Sequence, residues 1–259
     1  MKRVLVVGDL IIDQYVFGHA TRLCPEGPVP VIVPTKYEDR TGGAGLVAQQ
    51  LETLIGREHV NFLNGSTSKK QRIFADDRLI CRVDKDQEIH TSNVALAENW
   101  AYRGVIPMLH RTDKFRCDLL IISDYGKGAF TEESAKMILA AAKVPVLVDA
   151  KNNFHWYRGA FAAFPNETEM IGIGIWTSNI IRKLGARGCS VNGQIVPLET
   201  EHPVRDTTGA GDIFLAAFAA KFLSTDDLVE CAKFANRVAA RSVEFVGTHV
   251  VTDIRLEEM

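Results

Sequence analysis

Short runs of β-branched and leucine residues alternate with helix-period segments along most of the chain. Residues 4–7 form an unbroken apolar run ending in Gly8-Asp9, the pattern of a strand buried on both faces of a parallel sheet. Residues 29–33 are bracketed by Pro28, Pro30 and Pro34 and read as edge or lid structure, since proline cannot donate to a ladder. Gly42-Gly43-Ala44 introduces a predicted helix over 46–55, with Gly56 as its stop. Residues 61–64 predict a short strand, and 72–75 with 79–83 a hairpin turning through Asp76-Asp77. A helix is predicted over 94–103, a buried strand over 119–122, and a helix over 131–142. In the last of these Thr131 is the N-cap, and Ser134 stands where a capping box prefers Glu. Strands at 146–148, 180–184 and 189–191 follow, then helices at 215–222 and 228–243.

This alternation predicts an α/β fold, a doubly wound parallel sheet covered on both faces. The early proline-rich and hairpin segments predict a small β lid beside it, around residues 14–37 and 66–85. With no repeat or linker, one domain over 1–259 is expected. Sheets of this kind bind ligands beyond the carboxyl ends of their strands. Polar residues collect at those ends: Asp9 and Asp13, Asp124 and Lys127, Asp149 and Lys151, Asn166 and Glu169.

A formal net charge of -2 gives no support to a nucleic-acid partner, so a phosphorylated ligand would need a local basic cluster. No apolar segment approaches the roughly 20 residues that span a bilayer, and a cytoplasmic protein is expected. Five scattered cysteines lack metal-ligand spacing and read as buried free thiols. The seven histidines never form HExxH.

The chemistry concentrates in Asp206-Thr207-Thr208-Gly209-Ala210-Gly211-Asp212, followed directly by an apolar run over 213–222. Small residues let the backbone approach a ligand and turn its amides toward an anion. A helix beginning at Asp212 would add its positive end. A carboxylate beside an anion-binding turn reads as a base next to a phosphoryl group, hence a phosphotransferase.

The chain resembles the ribokinase-like (PfkB) carbohydrate kinases, and within them the D-glycero-D-manno-heptose 7-phosphate kinases of bacterial surface-polysaccharide synthesis. The similar segments are 6–13, Pro25-Glu26-Gly27-Pro28-Val29-Pro30-Val31, Gly42-Gly43-Ala44, 70–84, Ser123-Asp124-Tyr125-Gly126-Lys127-Gly128, Val148-Asp149-Ala150-Lys151, 165–169 and 206–212. The resemblance implies a ribokinase-like three-layer fold with a β lid. It implies ATP and Mg2+ as cofactors, with phosphorylation of the heptose phosphate at its anomeric hydroxyl. Kinases of other sugars, and a catalytically weak sugar- or nucleotide-binding homologue, stand as alternatives.

Carried over residue by residue, the resemblance makes Asp212 the base; the alternative reading is a helix cap. Gly209, Ala210 and Gly211 would steady the transferring phosphoryl group with their amides. Asn166 and Glu169, sharing a face if helical, would organise magnesium through water. Lys183, Gly185 and Gly188 would border the nucleotide, with Asn236 and Gly247 on its adenine side. Asp13, Gly42 and Gly43 would hold the sugar. Lys70, Arg72 and Arg82, evenly spaced in the hairpin region, read as a phosphate cluster on one side of it. Lys127 and Lys151 are further polar candidates. The chain departs from the family at Leu46 and Gln50, where similar kinases carry asparagines. It also looks shortened between residues 56 and 69 and between 169 and 179, where lost cover predicts a homodimer.

Overall fold

Strand β1 (Val4–Leu23) begins in the middle of the sheet and runs out of it into the lid. The structure is a computed structural model describing residues 2–76, 78–86, 91–113, 116–170, 177–200 and 202–256. The start of β1 pairs in parallel with β3 (Val60–Ala75) on one side and β5 (Leu119–Asp124) on the other. Outward from β5 follow β6 (Val146–Ala150), β7 (Ala162–Ala163) and β8 (Asn179–Lys183), all parallel. Antiparallel β9 (Cys189–Val191) and β10 (Gln194–Val196) finish that edge.

The period-two alternation of these strands sorts their side chains between two helical layers. Val4, Val6, Leu119 and Ile121 pack with α1 (Ala44–Ile55), α5 (Ala210–Phe222) and α6 (Leu228–Ser242). Leu5, Val7, Leu120 and Ile122 pack on the other face, against α4 (Glu132–Ala141) and the helical stretch before β5. The result is the expected three-layer α/β body.

The lid is the outer half of β1, flanked by antiparallel β2 (Pro30–Gly43) and by the outer half of β3, with β4 (Arg78–Lys85) beyond. Tyr15, Phe17 and Phe74 stack there at centroid separations of 5.3–6.3 Å. Every residue of β4 is exposed.

Several boundaries differ from expectation for identifiable reasons. β1 is 20 residues long, not four, and the predicted strands at 61–64 and 72–75 are one strand of 16. Ribbon strands carry polar residues, so Asp9, Asp13 and residues 66–71 do not interrupt them. The helix expected over 94–103 is α2 (Thr91–Trp100), a π-helical turn at Ala101–Val105, then α3 (Ile106–Leu109). Pro107 lies in the first turn of α3, where its missing N–H disturbs the regular ladder. Thr131 and Ser134 close a capping box in which a serine hydroxyl does what glutamate was expected to do. Asp76 adopts φ 49 at the hairpin turn, whereas Asp77 lies outside the described residues. Only Cys117, Cys189 and Cys231 are buried; Cys81 is exposed on β4 and Cys24 partly so. In the first stretch expected to be shortened, the chain passes from a turn at Arg57–His59 straight into β3; most of the second, 171–176, lies outside the described residues.

Candidate active site

A cavity of about 980 Å³ opens at the carboxyl ends of the strands, between the lid, the loop after β5 and the N-terminus of α5. α5 begins at Ala210, two residues earlier than predicted, because Gly209 takes the left-handed conformation (φ 80) that lets the chain turn into the helix. A Cβ at Gly209 would sit 2.6 Å from Leu46 Cδ2, so a larger residue would have to displace that buried side chain. Asp212 is therefore the third residue of the helix and caps nothing. Its side chain instead meets Tyr125, whose hydroxyl lies 2.7 and 2.9 Å from the two carboxylate oxygens.

Burial pushes the Asp212 carboxyl up to about 6, with Asp149 adding to the rise and Lys151, Tyr125 and Lys183 opposing it. That range suits a base working near neutrality. Helix geometry leaves first-turn amides without intrahelical acceptors. The Ala210 amide is already directed to Thr207 O at 3.2 Å, so the expected three-amide cradle narrows to its neighbours. Asp206 ties the turn down: it accepts from the Thr208 amide and hydroxyl at 2.9 and 2.7 Å, and from the Gly247 amide at 2.8 Å. Gly247 thus braces the loop, and its neighbour Thr248 lines the cavity.

Of the residues expected to border the nucleotide, Lys183, Gly185, Gly188 and Asn236 all line the cavity. Lys183 pairs with buried Asp149 at 2.5 Å, and Asn236 donates to Val196 O at 2.9 Å. Asn166 and Glu169 do not share a helix. They close a turn on each other: Asn166 Oδ1 accepts from the Glu169 amide, and Glu169 Oε2 accepts from the Asn166 amide, each at 2.8 Å. Lys151 reaches Glu169 Oε1 at 3.1 Å. Burial pulls the Lys151 ammonium down, but Asp149, Glu169 and Asp212 outweigh it and raise it overall. Among the described residues no three acidic, histidine or cysteine side chains cluster as a metal cage. Asn166 Oδ1 also accepts from the Thr168 hydroxyl at 2.8 Å, which fills its second lone pair, so the Glu169 carboxylate is the member of the pair with acceptor capacity left for a magnesium ion that keeps its waters.

On the lid side Asp13, Gly42, Gly43, Lys70 and Arg72 line the same cavity. Arg72 pairs with buried Asp13 and stacks on Tyr15 at 5.4 Å. A Cβ on Gly42 would come within 2.5 Å of Asp13 Oδ2. Burial draws the Lys70 ammonium below its ordinary range. Arg82 stands opposite Arg72 in the ladder but folds outward onto Asp84, at 2.8 and 3.0 Å, and does not line the cavity. Lys127 is likewise outside it, paired with Asp86, whereas Lys151 lines it. Leu46 is buried in the core, and Gln50 is locked onto the Val251 backbone at 3.0 and 2.8 Å. Neither lines the cavity.

In the sequence Tyr125 stands out only as part of a motif, and Asp9 only as a strand-end polar residue. Buried Asp9 accepts from the Tyr125, Ala129 and Lys127 amides at 2.7, 3.0 and 3.3 Å and from the Ser66 hydroxyl. The signal available was an aromatic set between Asp124 and Gly126 at a strand end.

The profile of the pfkB family carbohydrate kinases matches residues 126–254, which include the Gly209–Asp212 turn but not β1 or the lid. The D-beta-D-heptose 7-phosphate kinase of Bordetella bronchiseptica is 32% identical, over 98% of this chain and 95% of its own length. The chain belongs to the pfkB family of carbohydrate kinases. The bifunctional protein HldE of Nitratiruptor sp. is 31% identical over 99% of this chain, which spans only 64% of that relative's length. Both alignments run over more positions than this kinase has residues, so the relatives carry segments it lacks. The ribokinase of Thermotoga maritima has the same fold, with a TM-score of 0.69 at 17% identity over 96% of this chain and 95% of its own. Among the described residues no helix of the kinase is long and apolar enough to cross a membrane.

Proposed function

We propose that this chain is an ATP-dependent kinase of D-glycero-D-manno-heptose 7-phosphate, transferring the γ-phosphoryl group to the anomeric hydroxyl. The observation carrying the reading is one cavity with Asp212 at the N-terminus of α5 and a cationic pole, Lys70 and Arg72, on the lid. The sugar would lie between them. Asp13 and the Gly42-Gly43 turn would receive its hydroxyls, and Lys70 with Arg72 would meet its existing phosphate.

Asp212 takes the proton of the acceptor hydroxyl as that oxygen bonds to the γ-phosphorus and the bond to the β-phosphate oxygen breaks, releasing ADP. The amides of the α5 turn, with Lys183 beside Gly211, oppose the charge on the moving group. Glu169, held in its turn by Asn166, would hold magnesium through water, and the ion would neutralise phosphate charge. Heptose specificity draws support from the Bordetella relative, whose name carries that activity.

A second reading, a kinase of another sugar phosphate, draws on the absence of Leu46 and Gln50 from the cavity lining. Magnesium-dependent ADP release with the heptose phosphate, beside fructose 6-phosphate, ribose and a no-sugar control, separates the two. Selective turnover of the heptose supports the first reading; selective turnover of fructose 6-phosphate supports the second. A homodimer is part of the proposal, supported by exposed Leu79, Ile80 and Val83 on β4 and Val33 and Tyr37 on β2. A monomeric mass by light scattering at micromolar concentration contradicts it.

A further inference from the structure

Tyr125 reaches Asp212 from a different part of the fold, and its placement is unusually constrained. Its amide is held by buried Asp9, and two ammonium groups lie over its ring, Lys151 at 4.8 Å and Lys70 at 5.7 Å. Its hydroxyl meets both oxygens of Asp212. An aspartate carboxylate otherwise rotates broadly about its last torsion. A base must present one oxygen to the acceptor hydroxyl, so a fixed donor to the group removes a freedom that transfer would have to restrict.

We propose that Tyr125 is a positioning residue for phosphoryl transfer: its single hydroxyl proton, shared along the edge of the Asp212 carboxylate, pins the group while the remaining lone pairs stay available to the acceptor, and Asp9 fixes the loop that delivers it. The inference rests on the reading of Asp212 as the base. Tyr125 is suited to this work and to no proton transfer of its own. Burial and the neighbouring Asp212 keep its hydroxyl protonated far above neutrality, so it remains a donor. Asp212 is also faced by Lys151 beyond β6, Asp149 on β6 and Lys183 on β8, and Tyr125 by Asp13 and Lys70 from the lid. Lys151 and Lys183 favour the same ionised state as Tyr125, whereas Asp149 opposes it. None of these, however, is hydrogen-bonded to the carboxylate as Tyr125 is.

Tyr125→Phe keeps the ring and its cation contacts and removes the pin alone. Because the lost donor favours the ionised carboxylate, the acid limb of kcat moves to higher pH, by about one unit. Turnover at pH 7 falls about tenfold, while KM for ATP stays within about twofold. Raising the pH restores part of the loss, and the remainder reports orientation. An acid limb and a kcat that both match the parent enzyme overturn the proposal.

A second measurement does not need turnover. The carboxyl carbon of Asp212, identified in 13C-aspartate NMR spectra by its loss in Asp212→Asn, titrates near pH 6 in the parent protein. In Tyr125→Phe its midpoint rises by about one unit. An unmoved midpoint overturns the pin. A raised midpoint in a protein silent on the heptose phosphate supports the pin and contradicts the heptose reading, so the two failures are told apart.

Discussion

The two ends of the cavity are built on opposite terms. The end with the proposed base belongs to the body: Asp212 is buried at a helix start opened by a glycine at positive φ, against a core side chain. The lid end is a ribbon of strands whose outermost member is exposed throughout, and whose charges are largely paired within it, Asp13 with Arg72 and Arg82 with Asp84. On the proposed reading the body end, with little room to vary, would set the reaction. The lid end is freest at β4, which is exposed throughout, whereas Asp13, Tyr15 and the Gly42-Gly43 turn are buried. The two ends should therefore respond differently to substitution, the body in kcat and the lid in KM.

The largest effect belongs at the base end. Asp212→Asn should lower kcat by about 10²- to 10⁴-fold, with ADP affinity by calorimetry nearly unchanged. Gly209→Ala should cost about 1–3 kcal/mol of stability in denaturant titrations and most of the activity, from its positive φ and the contact with Leu46. At the lid end Arg72→Leu should raise KM for the phosphorylated sugar roughly 10- to 100-fold, with a much smaller change in kcat. Comparable losses in kcat at both ends would erase the distinction.

Stability sharpens it further. The folded pKa of Asp212 lies near 6, above the 3.8 of a free aspartate, so the folded state binds the extra proton between these values. This group costs stability above pH 6 and the cost fades as pH falls toward 4. Asp212→Asn should therefore be more stable than the parent by about 2–3 kcal/mol at pH 7.5, with the gap narrowing below pH 6 and closing only below about pH 4 in thermal melts. The smallest effect is expected of Arg82→Ala, less than about twofold in KM, since that side chain points away from the cavity.

The body was legible in the sequence because its signals are local. Residues 4–7, 119–122 and 146–148 are apolar on both sides, as buried parallel strands must be, and the Gly209–Asp212 turn carries its chemistry in four consecutive residues. The lid was legible as an addition but not in extent, since a half-exposed strand looks like polar loop. Charges were harder still: Arg72 and Arg82 are equally spaced in sequence, yet one turns to buried Asp13 and the other to exposed Asp84. Tyr125 was missed because 87 residues separate it from Asp212, and no spacing rule reaches that far.

The central claim is phosphoryl transfer to an anomeric hydroxyl by an Asp212-dependent reaction. Phosphorus-31 NMR of ATP, magnesium and D-glycero-D-manno-heptose 7-phosphate tests it most directly, with parent enzyme and Asp212→Asn side by side. The account predicts a new sugar phosphate resonance coupled to the anomeric proton, the 7-phosphate signal persisting and the variant giving nothing on the same timescale. A phosphate appearing at another carbon, or equal product from the variant, would contradict it.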